Sequence, residues 1–217
     1  RTPLAFLCLH ADRELADPSP ANQADALAHI QRLTRRAART ASQLLALTRA
    51  QAAPPEQGGQ QRIDLARRVP EMVAQRVHEA IRAGIDLGYE GGTPPLWVLG
   101  EPAGVQDLLD NLIDNAVHYA GRGSEITVRL RARDDGGASL LVEDNGPGVP
   151  PDLLPRLSER FFRVGASAEP GSGLGLAIVQ HIAGRHGAEL VFRNIEPHGL
   201  QVSVHFPPVS HAVDAPP

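Results

Sequence analysis

The chain is organised around the stretch Val142-Glu143-Asp144-Asn145-Gly146-Pro147-Gly148. It continues the apolar run Ala138–Val142, which is typical of a buried strand. The strand ends in a carboxylate, followed by a turn in which glycine supplies backbone angles that other residues resist. A plain turn often has the same pattern, so this stretch alone does not establish a ligand site.

A second glycine-rich stretch, Gly171-Ser172-Gly173-Leu174-Gly175-Leu176, leads into a helix predicted over residues 174–186. Glycines at a helix start let backbone N–H groups approach an anion, and the helix dipole favours negative charge there. An acidic strand end combined with a helix start of this kind indicates a nucleotide pocket.

The third piece is a helix predicted over residues 105–119, with one apolar face. Asn111 and Asn115 are four residues apart, so they lie one turn above the other on the same face. Asparagine is a poor helix former, so the pair needs a reason. Surface hydrogen bonding is one reason; the other is a hard cation such as Mg²⁺ held by an amide oxygen and phosphates.

Together these residues resemble the conserved boxes of sensor histidine kinases. Asn111–Ala116 resembles their N box, Asp144–Gly148 their G1 box, Glu159–Arg163 their F box and Gly171–Leu176 their G2 box. Arg1-Thr2-Pro3-Leu4 is similar to the end of an H box, H-E-x-R-T-P-L. Four boxes in the family's order form a far more specific signal than any one of them.

The predicted fold class is α+β. Residues 1–52 are expected to form an antiparallel helical hairpin, residues 53–61 a linker, residues 62–207 an ATP-binding catalytic domain and residues 208–217 a disordered tail. The domain is predicted to be an α/β sandwich, and the resemblance implies the Bergerat fold of histidine kinases and gyrase-type ATPases. Its predicted strands are 62–65, 85–89, 96–99, 125–133, 138–144, 189–194 and 200–206, and its helices are 66–83, 105–119 and 174–186.

The resemblance implies a role for each box in binding Mg-ATP. Asp144 is expected to accept a hydrogen bond from the adenine amino group, and Asn115 to bind Mg²⁺. Gyrase-like ATPases have a glutamate at the Asn111 position, and an amide cannot act as that base, so phosphoryl transfer is favoured over hydrolysis. Asp110 and Asp114 are interpreted as solvent-facing. The other expected nucleotide-binding residues are His118, Tyr119, Gly146, Gly148, Arg160, Arg163, Gly171, Gly173, Leu174 and Gly175.

His118 departs from the family's pattern, in which Lys or Arg reaches the phosphates, so the arginines of the F box are expected to supply the missing charge. Tyr119 is expected to cover the base, with an interfacial core tyrosine as the alternative. Residues 150–172 are predicted to form a lid, which Phe161 and Phe162 anchor by burial.

Composition excludes several classes of function. A net charge of −4 gives no support for nucleic-acid binding, and the lone Cys8 excludes an internal disulfide. No apolar run is long enough to cross a bilayer, so we expect no direct membrane contact. The resemblance implies the cytoplasmic portion of a bacterial inner-membrane sensor.

The phosphate-accepting histidine of the H box would lie three positions before Arg1, so we expect a piece of a longer sensor that cannot phosphorylate itself. Thr2 would follow that histidine by four residues and is expected to position water for dephosphorylation of the partner. The implied partners are a response regulator receiver domain and a second copy, paired through the hairpin. The alternatives are a dimerising nucleotide-sensing module without kinase turnover, and a serine kinase or ATPase on the same fold.

Overall fold

The computed structural model describes residues 60–92, 94–164 and 172–209. All of them belong to one compact unit, Ala50–Pro217. The predicted helical hairpin, most of the linker, Thr2, Gly171 and most of the tail lie outside the described residues. The domain boundaries and the hairpin therefore stay predictions.

The described residues alternate between strands and helices in the order that the hydrophobic pattern predicts. The strands are β1 Gln61–Asp64, β2 Asp86–Glu90, β3 Trp97–Gly100, β4 Glu125–Ala132, β5 Ala138–Asp144, β6 Glu189–Asn194 and β7 Leu200–Phe206. The helices are α1 Leu65–Ala83, α2 Pro102–Ala120 and α3 Gly175–Arg185, with a 3₁₀ helix at Pro151–Arg156. None of these helices is long and apolar enough to span a membrane.

The strands form two sheets. The larger has the order β2-β4-β5-β7-β6, with β2 and β4 parallel and the other neighbours antiparallel. In the smaller sheet, β1 pairs with β3 antiparallel. The buried apolar side chains of β4, β5 and β7 alternate along each strand, as expected when one face of a sheet packs on helices and the other is more exposed. This two-layer arrangement confirms the predicted α/β sandwich.

The open face of the larger sheet is polar. Arg129 on β4 pairs with Glu90 on β2 and with Glu143 on β5. Glu143 also accepts a hydrogen bond from Gln201 on β7. The helix-facing side of the same strands is apolar, with fully buried residues such as Val128, Leu140 and Val204.

Most predicted boundaries differ from the observed ones by one to three residues, and the start of α1 shows one local cause. Leu65, predicted to end a strand, begins α1, because Asp64 caps the helix: its Oδ1 accepts the N–H of Ala66 at 3.0 Å. The last residue of α1 is Ala83, and the C-cap residue after it, Gly84, adopts φ +75°. The last two strands, β6 and β7, have the predicted bounds.

Candidate functional site

Asp144 is the last residue of β5, and its carboxyl group is buried with the helix-facing side chains. Its Oδ1 accepts the backbone N–H of Gly146 at 2.9 Å. Burial raises the pKa of Asp144, and hydrogen bonds from the backbone of Gly146 and Leu200 act against that rise. The strand thus ends in one buried carboxyl group that can accept a hydrogen bond from a ligand.

The turn after Asp144 requires glycine for two physical reasons. A Cβ added at Gly146 would lie 2.8 Å from the Cα of Ala120 at the end of α2, which is closer than real contacts allow. Gly148 adopts φ +70°, a left-handed conformation that other residues adopt only with strain. The predicted importance of both glycines thus has a structural basis, and the first brings the G1 turn against the last turn of α2.

The hairpin between β6 and β7 holds this turn from the other side. Asn194 binds the backbone of Val149 twice: its Oδ1 accepts the N–H at 2.9 Å and its Nδ2 donates to the carbonyl at 2.6 Å. His198 donates from Nδ1 to the carbonyl oxygen of Asn145 at 2.7 Å, since a carbonyl can only accept. Neither residue was singled out in the sequence, because both contacts depend on how the hairpin folds back.

The next residue of that hairpin, Gly199, lies against the backbone of β5. A Cβ at this position would lie 2.0 Å from the carbonyl oxygen of Asp144, and the residue has φ +131°. Only glycine permits so close an approach of two backbones. The position of Asp144 is therefore set by the packing of main chain on main chain.

The N-box helix α2 places Asn111 against the start of α3. Its apolar face is buried, as predicted. Asn111 donates from Nδ2 to the carbonyl oxygen of Asp107 at 2.7 Å, and its Oδ1 lies 3.5 Å from where a Cβ of Gly175 would be. Asn115, one turn further along, is half-buried. The structure thus brings the N box and the G2 box together at one end of the site.

The start of α3 is preceded by a close contact between the G2 and F boxes. Gly173 adopts φ +66°, and its carbonyl oxygen accepts the N–H of Phe161 at 2.8 Å. Leu174 is buried and anchors the segment, and no side chain caps the first turn of α3. An uncapped helix start behind flexible glycines is the kind of end that binds anions.

The prediction that both phenylalanines of the F box anchor the lid by burial is wrong for Phe161. Phe161 is 69% exposed, and its backbone has φ +64°. Its N–H donates to the carbonyl oxygen of Gly173, and this backbone contact with the G2 box leaves the ring outside the core. Phe162 is half-buried, with the guanidinium of Arg156 4.3 Å from its ring centroid.

The two F-box arginines differ in their surroundings. Arg160 lines a groove along the outer side of α3, together with Gln180, His181 and Arg185. Arg163 is half-buried close to the start of the undescribed segment 165–171. Their expected role beside the phosphates stays a prediction.

His118 and Tyr119 lie in the last turn of α2, beside the G1 turn. Their rings meet edge to face, with centroids 4.7 Å apart. Tyr119 is 38% exposed, which is more than an interfacial core tyrosine would be. An exposed aromatic ring near the carboxyl group of Asp144 is available to cover a planar ligand.

The interpretation of Asp110 and Asp114 as solvent-facing is wrong. Both bind Arg76 of α1: Asp110 at 3.1 Å and Asp114 in a closer contact. The four-residue spacing of the two acids was a visible signal of a shared partner on one helix face. The identity of that partner was not visible, because it depends on how α1 packs against α2.

The described residues contain no group of three or more His, Cys, Asp or Glu side chains that could hold a metal ion. A metal in this part of the chain would therefore need ligands of another kind. An Asn amide oxygen together with phosphate oxygens is such a set, and hard cations such as Mg²⁺ accept it.

Comparison with known proteins agrees with this geometry. Residues 100–210 match the family described as histidine kinase-, DNA gyrase B- and HSP90-like ATPase. The chain is 36% identical to Sensor protein QseC of Escherichia coli (strain K12) over 205 residues, which are 94% of this chain and 44% of that protein. It is 32% identical over 155 residues to Signal transduction histidine-protein kinase/phosphatase MprB of Mycobacterium avium (strain 104), covering 67% of this chain and 30% of that one. The chain thus spans less than half the length of these relatives.

Solved structures show the same relationship. A mycobacterial sensor histidine kinase MprB superposes with a TM-score of 0.59 at 30% identity, covering 69% of this chain and 100% of that one. The cytoplasmic segment of histidine kinase QseC superposes with a TM-score of 0.56 at 29% identity, covering 81% and 95%.

Proposed function

The chain belongs to the histidine kinase-, DNA gyrase B- and HSP90-like ATPase family, and from that premise we propose that it is the kinase core of a two-component sensor. Its domain at residues 62–207 binds Mg-ATP and transfers the γ-phosphoryl group to a histidine, from which it passes to an aspartate of a response regulator. One observation carries this proposal: α2 abuts the Asp144 turn at Ala120 and the glycine-rich start of α3 at Asn111.

The length of α2 between those two contacts separates the roles of the two ends. Nine residues of helix span about 13.5 Å, so one cleft has a carboxyl group at one end and an anion-binding helix start at the other. Asp144 accepts a hydrogen bond from the adenine amino group, and Tyr119 covers the ring. The N–H groups at Gly175 and the residues after it face the phosphates.

The side-chain amides of α2 are ligands of the kind that Mg²⁺ accepts when it is bound to a triphosphate. Asn115 would hold Mg²⁺ through its side-chain oxygen, with phosphates and water as the other ligands. Mg²⁺, when bound, neutralises charge on the transferring phosphoryl group. Asn111 cannot accept a proton from water, so the site favours transfer to a histidine over hydrolysis. Positioning and charge neutralisation then supply most of the catalysis.

The partners follow from the resemblance and from the names of the relatives. QseC is called a sensor protein and MprB a kinase/phosphatase. We assign to this chain the same class of partners: a response regulator receiver domain and a second copy paired through residues 1–52. Thr2 would then assist dephosphorylation, and the parent protein would be a membrane-anchored sensor with this part in the cytoplasm.

Phosphate transfer in trans tests the proposal. The full chain is mixed with γ-labelled ATP and a separately purified helical hairpin that carries an intact H-E-x-R-T-P-L box. We expect acid-labile phosphate on the hairpin, and about tenfold less when Asp144→Asn replaces the wild type at an ATP concentration far below saturation. The chain alone is expected to remain unlabelled.

The other outcomes identify the alternatives. ATP binding without transfer would favour a nucleotide-sensing module. The observation that supports this function is His118, which stands where the family usually has Lys or Arg. Release of inorganic phosphate without labelled hairpin would favour an ATPase. Label on a serine, stable to acid, would favour a serine kinase.

A further inference from the structure

A charged cluster joins α1 to the back of the N-box helix. The guanidinium of Arg76 binds Asp110 at 3.1 Å, Asp114 in a closer contact and Glu79 at 3.3 Å. Gln106 donates to the second oxygen of Asp110 at 3.0 Å. The Arg76 side chain is 18% exposed, and the two aspartates are about one third exposed, so solvent screens these contacts only in part.

The guanidinium of Arg76 keeps its positive charge in this cluster. Burial lowers the pKa of Arg76, but its carboxylate partners, Asp114 foremost, raise it further, and the net change is upward. One cation thus faces three carboxylates. Removing the cation would leave those carboxylates close together in a partly buried place, where like charges repel strongly.

The position of the two aspartates matters more than their charge. Asp110 and Asp114 directly precede Asn111 and Asn115 in the chain. Successive residues of a helix are rotated by about 100°, so a helix fixed at two points one turn apart cannot rotate without moving the side chains next to them. A planar guanidinium that binds both aspartates fixes the rotation and the height of α2 together.

We propose that Arg76 is a positioning residue for the amide pair: through Asp110 and Asp114 it aims Asn111 and Asn115 at the metal and the phosphates. The inference rests on the proposed Mg-ATP site. Arg76 contacts no substrate atom in this account, and its effect is confined to the metal-dependent part of nucleotide binding. The hydrogen bonds that hold the adenine end involve none of its partners.

The test compares two binding constants in the full chain. Calorimetry gives the affinity for adenosine, which needs no metal, and the Mg²⁺ concentration at half-maximal enhancement of ATP binding. Arg76→Met keeps much of the side-chain stem and removes the charge; Arg76→Lys keeps the charge but not the planar fork. Arg67→Met, on an exposed position of the same helix, is the matched control.

We expect Arg76→Met to raise the half-maximal Mg²⁺ concentration about tenfold, as loss of a partner behind a metal ligand commonly does. Adenosine affinity should change less than twofold. Arg76→Lys should keep the melting temperature of the wild type and still require about threefold more Mg²⁺, whereas Arg67→Met should match the wild type in both measurements.

Two results would overturn the inference without touching the proposed function: Mg²⁺ dependence equal to wild type in both Arg76 variants, or a parallel loss of adenosine and Mg²⁺ affinity in Arg76→Lys. A wild-type chain that binds adenosine but shows no Mg²⁺ enhancement with ATP would also overturn it. Failure of the wild type to bind any adenine nucleotide would overturn the proposed function as well.

Discussion

The two ends of the proposed nucleotide cleft are held by different kinds of contact. At the proposed adenine end, backbone atoms and two polar side chains fix the turn after β5: Asn194 and His198 bind main-chain groups, and Gly199 packs on the main chain of Asp144. At the proposed phosphate end, Arg76 binds the two aspartates that precede the amides, and Phe161 of the F box is exposed.

This difference indicates which end of the cleft has its binding geometry before a ligand arrives. Strand register and close backbone packing respond little to salt or ligand, so the adenine end should keep its geometry when empty. Ion pairs and exposed loops respond to both, and the phosphate end should therefore depend on conditions. A substitution at one end should therefore leave ligand binding at the other end unchanged.

The largest effect is expected from Gly199→Ala. The added Cβ would lie 2.0 Å from the Asp144 carbonyl oxygen, so the backbone must move, at a cost of about 2–4 kcal/mol in the free energy of unfolding. Gly88→Ala is the matched control, because its Cβ would meet no atom within 4 Å. Urea unfolding measures both. A Gly199→Ala chain as stable as Gly88→Ala would show that the adenine end is not built by this contact.

The next largest effect is expected from a substitution at the phosphate end, in the proposed metal ligand. Asn115→Ala removes the proposed metal ligand and should weaken Mg-ATP binding about 10–100-fold while leaving adenosine binding unchanged. Raising the salt concentration should weaken ATP binding more than adenosine binding in the wild type. Calorimetry with both ligands measures the separation. Equal losses for ATP and adenosine would contradict a division of the cleft into two ends.

A smaller effect is expected at the adenine end from His198→Ala. The variant loses one hydrogen bond to Asn145, worth about 1 kcal/mol, so adenosine affinity should fall about fivefold. The Mg²⁺ concentration at half-maximal enhancement should not change. His78→Ala, on an exposed position of α1, is the control. A shift in Mg²⁺ dependence with unchanged adenosine affinity would reverse the assignment of this residue.

The smallest effect is a change of stability with pH. Burial raises the pKa of Asp144, so the folded chain holds that proton to a higher pH than the unfolded chain, whose aspartate pKa is about 3.9. Ionisation of Asp144 therefore lowers stability as the pH rises from about 4 through the raised pKa. Asp144→Asn should melt above the wild type at pH 7, and the difference should shrink toward pH 4.

The charge of Glu90 should change stability with pH in the opposite direction to that of Asp144. A hydrogen bond from Arg129 lowers the pKa of Glu90, so its charge favours the folded state above the unfolded pKa, and that stability is lost as the pH falls. Glu90→Gln should therefore melt slightly below the wild type at pH 7. Melting curves of the two variants with the same direction of change would contradict the assigned role of burial at Asp144.

Much of the fold was visible in the sequence because it depends on local pattern. The predicted bounds of β6 and β7 match the observed ones, and the 3.6-residue period predicted the buried face of α2. The four-residue spacing of Asn111 and Asn115 and the glycines after Asp144 are likewise local. These features needed no knowledge of which elements pack together.

The remainder depended on packing between distant segments. Asn194 and His198 reach the turn after β5 across about 50 positions of the chain, and Arg76 meets Asp110 across 34. No periodicity records such contacts. The exposure of Phe161 was not visible in the sequence either, because its backbone, with φ +64°, bonds to the separate G2 box through the carbonyl oxygen of Gly173.

We propose that a buried carboxyl group at the end of β5 binds adenine. Calorimetric titration of the full chain with adenosine tests this most directly. The wild type should bind one equivalent, and Asp144→Asn should lose affinity by about tenfold or more, since a hydrogen bond to a charged group is worth about 1.5–3 kcal/mol. Glu143→Gln, on the open face of the same strand, should bind as the wild type does. Equal adenosine affinity in the wild type and a folded Asp144→Asn chain would contradict the claim.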